Sequence, residues 1–180
     1  EIAPRERLHV GMHCFWTGEA CLGDLEDVVA TRTGWMSGTE VVELDVRAGR
    51  AAAVVDAVNS RGCGTIVFSS DAKVLTAARR AGLRTASPGR FRATPKDDLH
   101  ALGSTPWRAL PLTALQGTRV NAFVSRRQDP APWLSPRQRR FAARLVQGAE
   151  RTLPDARSTP DLAEAVANLE AALDAGAGRP

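Results

Sequence analysis

The chain has 180 residues, 43% of them hydrophobic and 24% charged, which suits one soluble globular core with an appendage. No segment reaches the roughly 18 to 20 apolar residues that a membrane-spanning helix needs, and no signal peptide is visible, so no membrane partner is expected. The net charge of +4 is carried almost wholly by Arg and is compatible with an acidic partner, but no aromatics interleave Arg126-Arg127 or Arg137-Gln138-Arg139-Arg140, which argues against nucleic acid.

Taken in chain order, Arg7 to Met12 alternates around Leu8, Val10 and Met12 and predicts a strand. Thr17 to Leu25 predicts a short helix, with Glu19 in its first turn where a carboxylate suits the helix dipole. Two strands follow, Asp27 to Trp35 and Thr39 to Val46, joined by a hairpin-type connection, Trp35-Met36-Ser37-Gly38. Ala51 to Asn59 lacks any breaker and reads as a helix. Gly64 to Ser70 reads as an internal strand, and Ser70 caps a helix from Asp71 to Ala81 that Gly82 stops. Strand, helix, strand, strand, helix, strand is the ferredoxin-like, split βαβ order, an α+β fold with helices on one face of the sheet.

Leu83 to Ala86 adds a short edge strand, and an irregular basic stretch runs on to Pro106. The expected division is a core over residues 1–104 and a helical C-terminal extension over 105–180. Helices are expected from Thr113, Ser135-Pro136 and Thr159-Pro160, the last two with an N-cap residue before Pro. Asp129-Pro130-Ala131-Pro132 and Leu153-Pro154-Asp155 read as linkers, Trp107 and Trp133 as packing anchors. The final helix, with Leu162, Ala165, Leu169 and Leu173 near one face, either folds back or mediates association.

Cys14, Cys21 and Cys63 are odd in number and lack Cys-x-x-Cys spacing, which speaks against a disulfide framework or a zinc finger and leaves at least one free thiol. A free thiol persists more easily in a reducing compartment and so favours the cytoplasm. The start at Glu1 without Met keeps a processed, secreted or periplasmic form as the alternative.

Cys14 stands between His13 and Phe15-Trp16 at a strand-to-helix junction, where unpaired backbone amides favour negative charge on sulfur. The competing reading is a small core hydrophobe, since free Cys is among the most buried residue types. Cys21, two helical turns or roughly 10 Å further on, reads as core.

Cys14-Phe15-Trp16, the following helix, Gly34-Trp35 and the strand Thr39-Glu40-Val41-Val42 resemble the A-type peptide methionine sulfoxide reductases over roughly residues 8–80. The resemblance implies a Cys14 thiolate that attacks a sulfoxide sulfur and is left as a sulfenic acid. It implies an apolar pocket from Phe15 and Trp16, with Trp35 beside it, and Glu40 as the acid that protonates the departing oxygen. Glu43 could equally occupy the strand position read for Glu40. Cys63, just before the internal strand, is expected to approach Cys14 as a resolving thiol, or else to be a separate buried residue. Alternatively, His13, Cys14 and Cys63 bind Cu or Zn, with no other cofactor expected. The implied partners are a small-molecule or peptidyl sulfoxide and a thiol reductant such as a thioredoxin-like protein.

The chain departs from that family in containing no Tyr, so the phenol donors that the family aims at the sulfoxide oxygen are absent. His13 and Thr17 stand where the family has flanking glycines. A metal-binding or noncatalytic descendant of the same fold is the second reading, and a basic interaction module in the C-terminal helices the third.

Overall fold

The first strand, β1 (Arg5–Met12), turns Leu8 and Val10 to one face and Arg7 and His9 to the other, as the alternation predicts. Its neighbour β3 (Thr39–Arg47) runs antiparallel with Leu8 opposite Leu44 and Val10 opposite Val42, so both strands present their aliphatic residues to the same side. β2 (Val28–Met36) pairs with β3 through a two-residue turn, Ser37-Gly38, in which both residues have positive φ (50° and 76°). That conformation matches the strand twist, and glycine adopts it without steric cost.

The computed structural model describes residues 4–147, 153–159 and 161–177, and the chain divides into two units, Glu1–Leu99 and His100–Pro180. In the first unit, β4 (Ile66–Phe68) flanks β1, β5 (Arg84–Ala86) forms one edge and β6 (Arg92–Ala93) the other. The order is β5-β4-β1-β3-β2-β6, with β4 and β5 parallel and every other pair antiparallel. The protein is therefore α+β, with a mixed six-stranded sheet and, among the described residues, seven helices.

Three of the helices cover one face: α1 (Phe15–Leu22), α2 (Ala51–Arg61) and α3 (Ala72–Arg80). Leu22, Val54, Val55, Val58, Val74 and Ala78 close over Leu8, Val10, Val42, Leu44 and Val46, the main core. Each buried Val or Leu stabilises the fold by about 1.5–3 kcal/mol relative to exposure. α1 begins two residues before the expected Thr17 because Cys14 occupies the N-cap position. α3 is capped by Asp71 instead of Ser70: its carboxylate accepts from the backbone N–H of Lys73 (2.8 Å) and Val74 (3.0 Å) at the positive end of the helix.

The other face of the sheet is only partly open. The segment from Ser87 to Phe91 leads from one edge strand to the other and packs Phe91 against Met36, Val41 and Phe68, with its ring 5.4 Å from that of His9. β6, which follows this segment, was not foreseen within the irregular stretch; it pairs Arg92 with Trp35 and Ala93 with Gly34.

The second unit contains α4 (His100–Gly103), α5 (Ala114–Ser125), α6 (Pro136–Gln147) and α7 (Leu162–Ala177). Thr113 and Gln116 form a reciprocal capping box at the start of α5. α7 starts from Asp161, whose carboxylate accepts from Ala163 and Glu164, and the expected cap partner Pro160 lies outside the described residues. Arg137 and Arg144 of α6 pair with Glu170 and Asp174 of α7, and Ala165 and Leu169 are buried, so the last helix folds back within this unit. Trp133 anchors α5 through an edge contact with Phe123 and a cation–π contact with Arg119. No helix among the described residues is long and apolar enough to cross a membrane.

Candidate functional site

β1 ends at Met12, His13 is exposed, and Cys14 adopts an extended conformation (φ −140°, ψ 113°) as the N-cap of α1. Its carbonyl accepts the first intrahelical hydrogen bond, from Gly18 N–H at 3.0 Å, while its side chain makes no capping bond. The thiol is the one free cysteine side chain and is partly exposed. Charge that develops on its sulfur therefore lies at the positive end of the helix dipole.

The next backbone amide, Phe15 N–H, donates to Glu40 Oε2 at 2.8 Å. Register explains this contact: Glu40 stands opposite Met12 on β1 and opposite Trp35 on β2, at the end of the sheet where the chain leaves β1 for α1. A carboxyl side chain thus satisfies one of the amides that a helix start leaves without a partner, beside Cys14. Glu43, three positions along the strand, points to the opposite face, where His9 Nε2 lies 2.9 Å from its Oε2 and Arg32 pairs with it. Of the two glutamates, only Glu40 lies at the cysteine's end of the helix-covered face.

The aromatic residues gather at the same helix start. Phe15 is buried, and its ring lies 6.0 Å from both Trp16 and Trp35, the latter edge-on. Trp16 is 39% exposed, an unusual place for an indole and one that offers apolar surface beside the thiol. Beneath the helix, Met12 fills the space that a side chain at position 18 would need: a Cβ on Gly18 would lie 1.6 Å from Met12 Sδ. Gly18 is therefore what lets α1 sit down on the end of β1.

The cysteines differ from expectation. Cys21, in the last turn of α1, is joined in a disulfide to Cys63, which follows the Gly62 C-cap of α2, with a Cα separation of 6.3 Å. Cys21 and Cys63 are thus neither separate core residues nor free thiols, and Cys63 is not available to Cys14 as a resolving thiol in this state. The C-terminal ends of α1 and α2 lie together at this junction. Arg61 binds the Cys21 carbonyl (2.8 Å) and pairs with Asp24 at the same junction. The proposed metal set loses Cys63 for the same reason. Among the described residues, no group of three His, Cys, Asp or Glu side chains is arranged to hold a metal ion.

Two acids behind the site, one buried and one half-buried, escaped the sequence reading. Glu19, expected in the first turn as a partner of the helix dipole, is fully buried and accepts from Thr31 Oγ1 (2.8 Å) and Leu99 N–H (2.7 Å). Asp98 accepts from Thr33 N–H (2.6 Å) and Thr33 Oγ1 (2.8 Å). Burial pushes the Asp98 carboxyl above the ordinary Asp range, outweighing the Thr33 hydrogen bonds and the Arg32 charge that act the other way. Together these acids tie α1 and the segment before Leu99 to β2. The signal was present in the polar Thr31 and Thr33 on the buried face of a strand, but their acid partners lie 12 and 65 residues away in the chain.

No protein-family model matches the chain, and no curated protein matches it.

Proposed function

We propose that this chain is a thiol-dependent oxidoreductase acting on a sulfoxide or related sulfur substrate, a divergent relative of the A-type peptide methionine sulfoxide reductases. The observation that carries the reading is the 2.8 Å contact between Phe15 N–H and Glu40 Oε2, which sets an acid at the start of the helix whose N-cap is Cys14. The strand order β4-β1-β3-β2, antiparallel throughout, supports reading the first unit as a split βαβ sheet of the ferredoxin-like kind.

In the proposed reaction the Cys14 sulfur attacks the sulfoxide sulfur and the S–O bond breaks. Glu40 delivers a proton to the oxygen, which departs as water and leaves the substrate sulfur bonded to Cys14 as a sulfonium; a water then attacks the Cys14 sulfur and loses a proton, the S–S bond breaks, the thioether leaves, and Cys14 is left as the sulfenic acid. The sulfoxide is reduced by two electrons and the cysteine sulfur is oxidised by two. Phe15, Trp16 and Trp35 supply the apolar wall for the substituents on the substrate sulfur. With no Tyr in the chain, the oxygen has fewer donors than in that family, and turnover is slower for it.

Incubating the reduced protein with free and peptidyl methionine sulfoxide, and following Cys14 and the thioether product by mass spectrometry, tests this reading. Methionine formed together with oxidised Cys14 supports it; neither product with either substrate rejects it.

A further inference from the structure

We propose that Arg92 of β6 binds a carboxylate on the substrate, so that the site favours sulfoxides with a carboxylate close to the sulfur over neutral ones. The proposal rests on the reading above in one respect, that substrates bind at the Cys14 end of the sheet.

Strand register sets four residues in a row. Met12 of β1 stands opposite Glu40 of β3, Glu40 opposite Trp35 of β2, and Trp35 opposite Arg92 of β6. Directly paired residues on antiparallel strands share a face, and Trp35 packs against the main core on the helix-covered face. The Arg92 side chain therefore leaves its strand on that same face. Neighbouring strands lie about 4.8 Å apart, which puts the Arg92 backbone one strand beyond Trp35 and roughly 10 Å beyond Glu40. Trp35 in turn meets the ring of Phe15, the residue after Cys14, edge-on at 6.0 Å. An acid, an indole and a cation thus follow one another across the end of the sheet where α1 begins.

β6 is short but is held on both sides of Arg92. Before it, Phe91 turns to the opposite face of the sheet and packs against Met36, Val41 and Phe68. After it, Thr94 N–H donates to the Thr33 carbonyl at 2.9 Å, and Asp98 accepts from Thr33 N–H and Oγ1. Gly34 is what permits the close approach: a Cβ there would lie 2.5 Å from Arg92 O and 2.6 Å from the Phe91 ring. A backbone pinned in this way gives the long Arg92 side chain a fixed root, which lowers the ordering cost of binding.

Many arginines of this unit are already committed: Arg32 pairs with Glu43, Arg47 with Glu26 and Asp27, Arg50 with Asp27, Arg61 with Asp24 and Arg80 with Asp56. Arg92 is exposed, and among the described residues no carboxylate pairs with it. Its guanidinium offers a planar fork of N–H donors that matches a carboxylate bidentately. A substrate whose sulfur lies at Cys14 and whose carbon chain crosses Trp35 brings its carboxylate to this fork. That carboxylate belongs either to a free or C-terminal methionine sulfoxide or to an acidic residue beside the oxidised methionine in a peptide. Arg92 meets no reacting atom in this arrangement, so it acts on specificity and not on the chemical step.

The test uses the full chain and methionine sulfones, which fill a sulfoxide site without being reduced there. N-acetylmethionine sulfone is compared with its neutral amide by titration calorimetry, and a blocked peptide with methionine sulfone beside Glu is compared with the same peptide carrying Gln. The parent should bind the anionic member of at least one pair about 5- to 10-fold more tightly, the range of one partly exposed bidentate ion pair. A preference in the acetyl pair alone identifies a terminal carboxylate as the source, and one in the peptide pair identifies an acidic neighbour. Arg92→Gln should bring the ratio to about 1 with an unchanged urea midpoint, while Arg92→Lys, which keeps the charge and loses the fork, should retain about 2- to 3-fold. Arg84→Gln on the opposite edge strand removes the same charge and should leave the ratio as it is. Equal affinities within both pairs, no binding of any sulfone, a preference that survives Arg92→Gln, or one that Arg84→Gln abolishes equally would overturn the assignment. In turnover with the matching sulfoxides, Arg92→Gln should raise KM for the anionic substrate by the same factor and leave kcat unchanged. A protein that shows the Arg92-dependent preference for sulfones but reduces no sulfoxide keeps this carboxylate site and loses the proposed reaction.

Discussion

Removing the disulfide tests whether the Cys21–Cys63 bond is what holds the α1 helix in place. In the double variant Cys21→Ser/Cys63→Ser the bond closing a loop with a sequence separation of 42 is lost, and the unfolded chain gains the freedom that the bond denied it. The loop-closure relation gives about 4 kcal/mol for a loop of this length, an upper figure because the Arg61–Asp24 pair and the contacts of α1 and α2 remain in the native state. With a urea m-value of about 2 kcal/mol/M, the midpoint falls by about 2 M. The assay is urea unfolding followed by circular dichroism on the oxidised protein, with Cys14→Ser as the control that leaves the disulfide alone. The control should lose no more than about 1 kcal/mol, since Cys14 makes no side-chain capping bond. A double variant whose midpoint matches the parent refutes the staple and the assignment of helix stability to it.

Glu40→Gln keeps an acceptor for Phe15 N–H but no proton to give, so turnover should fall by about 10²–10⁴-fold with little change in stability. Glu40→Ala should in addition cost about 1–2 kcal/mol by leaving the amide without a partner, as steady-state rates and urea midpoints would show. Gly18→Ala forces a Cβ into Met12 Sδ and should destabilise by about 1–3 kcal/mol; adding Met12→Ala should return part of that loss, and identical midpoints for both would contradict the packing. Asp98 titrates above its unfolded value in the folded protein, so it adds stability at a pH below about 3.9 that is lost as pH rises through the raised value. Asp98→Asn, which keeps the acceptor oxygen for Thr33, should remove that part of the pH dependence and be relatively favoured near neutrality, measured by urea midpoints across the range.

How much of this was readable in the chain depends on how far apart the interacting residues lie. The strands β1, β2 and β3 followed from Leu8-Val10-Met12 and Val42-Leu44-Val46, because alternation is a local signal and the buried face enforces it. The turn at Ser37-Gly38 was equally local. The strand β6 was not legible, because Arg92-Ala93 pair only through the sheet edge that β2 offers. The Cys14, Glu40 and aromatic grouping was suggested by motif resemblance, and the register of β1 on β3 accounts for its assembly. The disulfide was missed because the parity of three cysteines says nothing about which two helix ends packing will bring together. The partners of Glu19 were illegible for a related reason: its place near a helix start suggests the dipole, while Thr31 and Leu99, which bond it, lie 12 and 80 residues away.

The most direct test is a single-turnover experiment with the reduced protein and a peptide containing methionine sulfoxide, quenched in a sulfenic-acid trap and read by mass spectrometry. The account predicts one thioether formed per Cys14 oxidised, the adduct on Cys14, and loss of both signals in Cys14→Ser. Thioether formation that persists in Cys14→Ser, or no thioether from the parent, would contradict it.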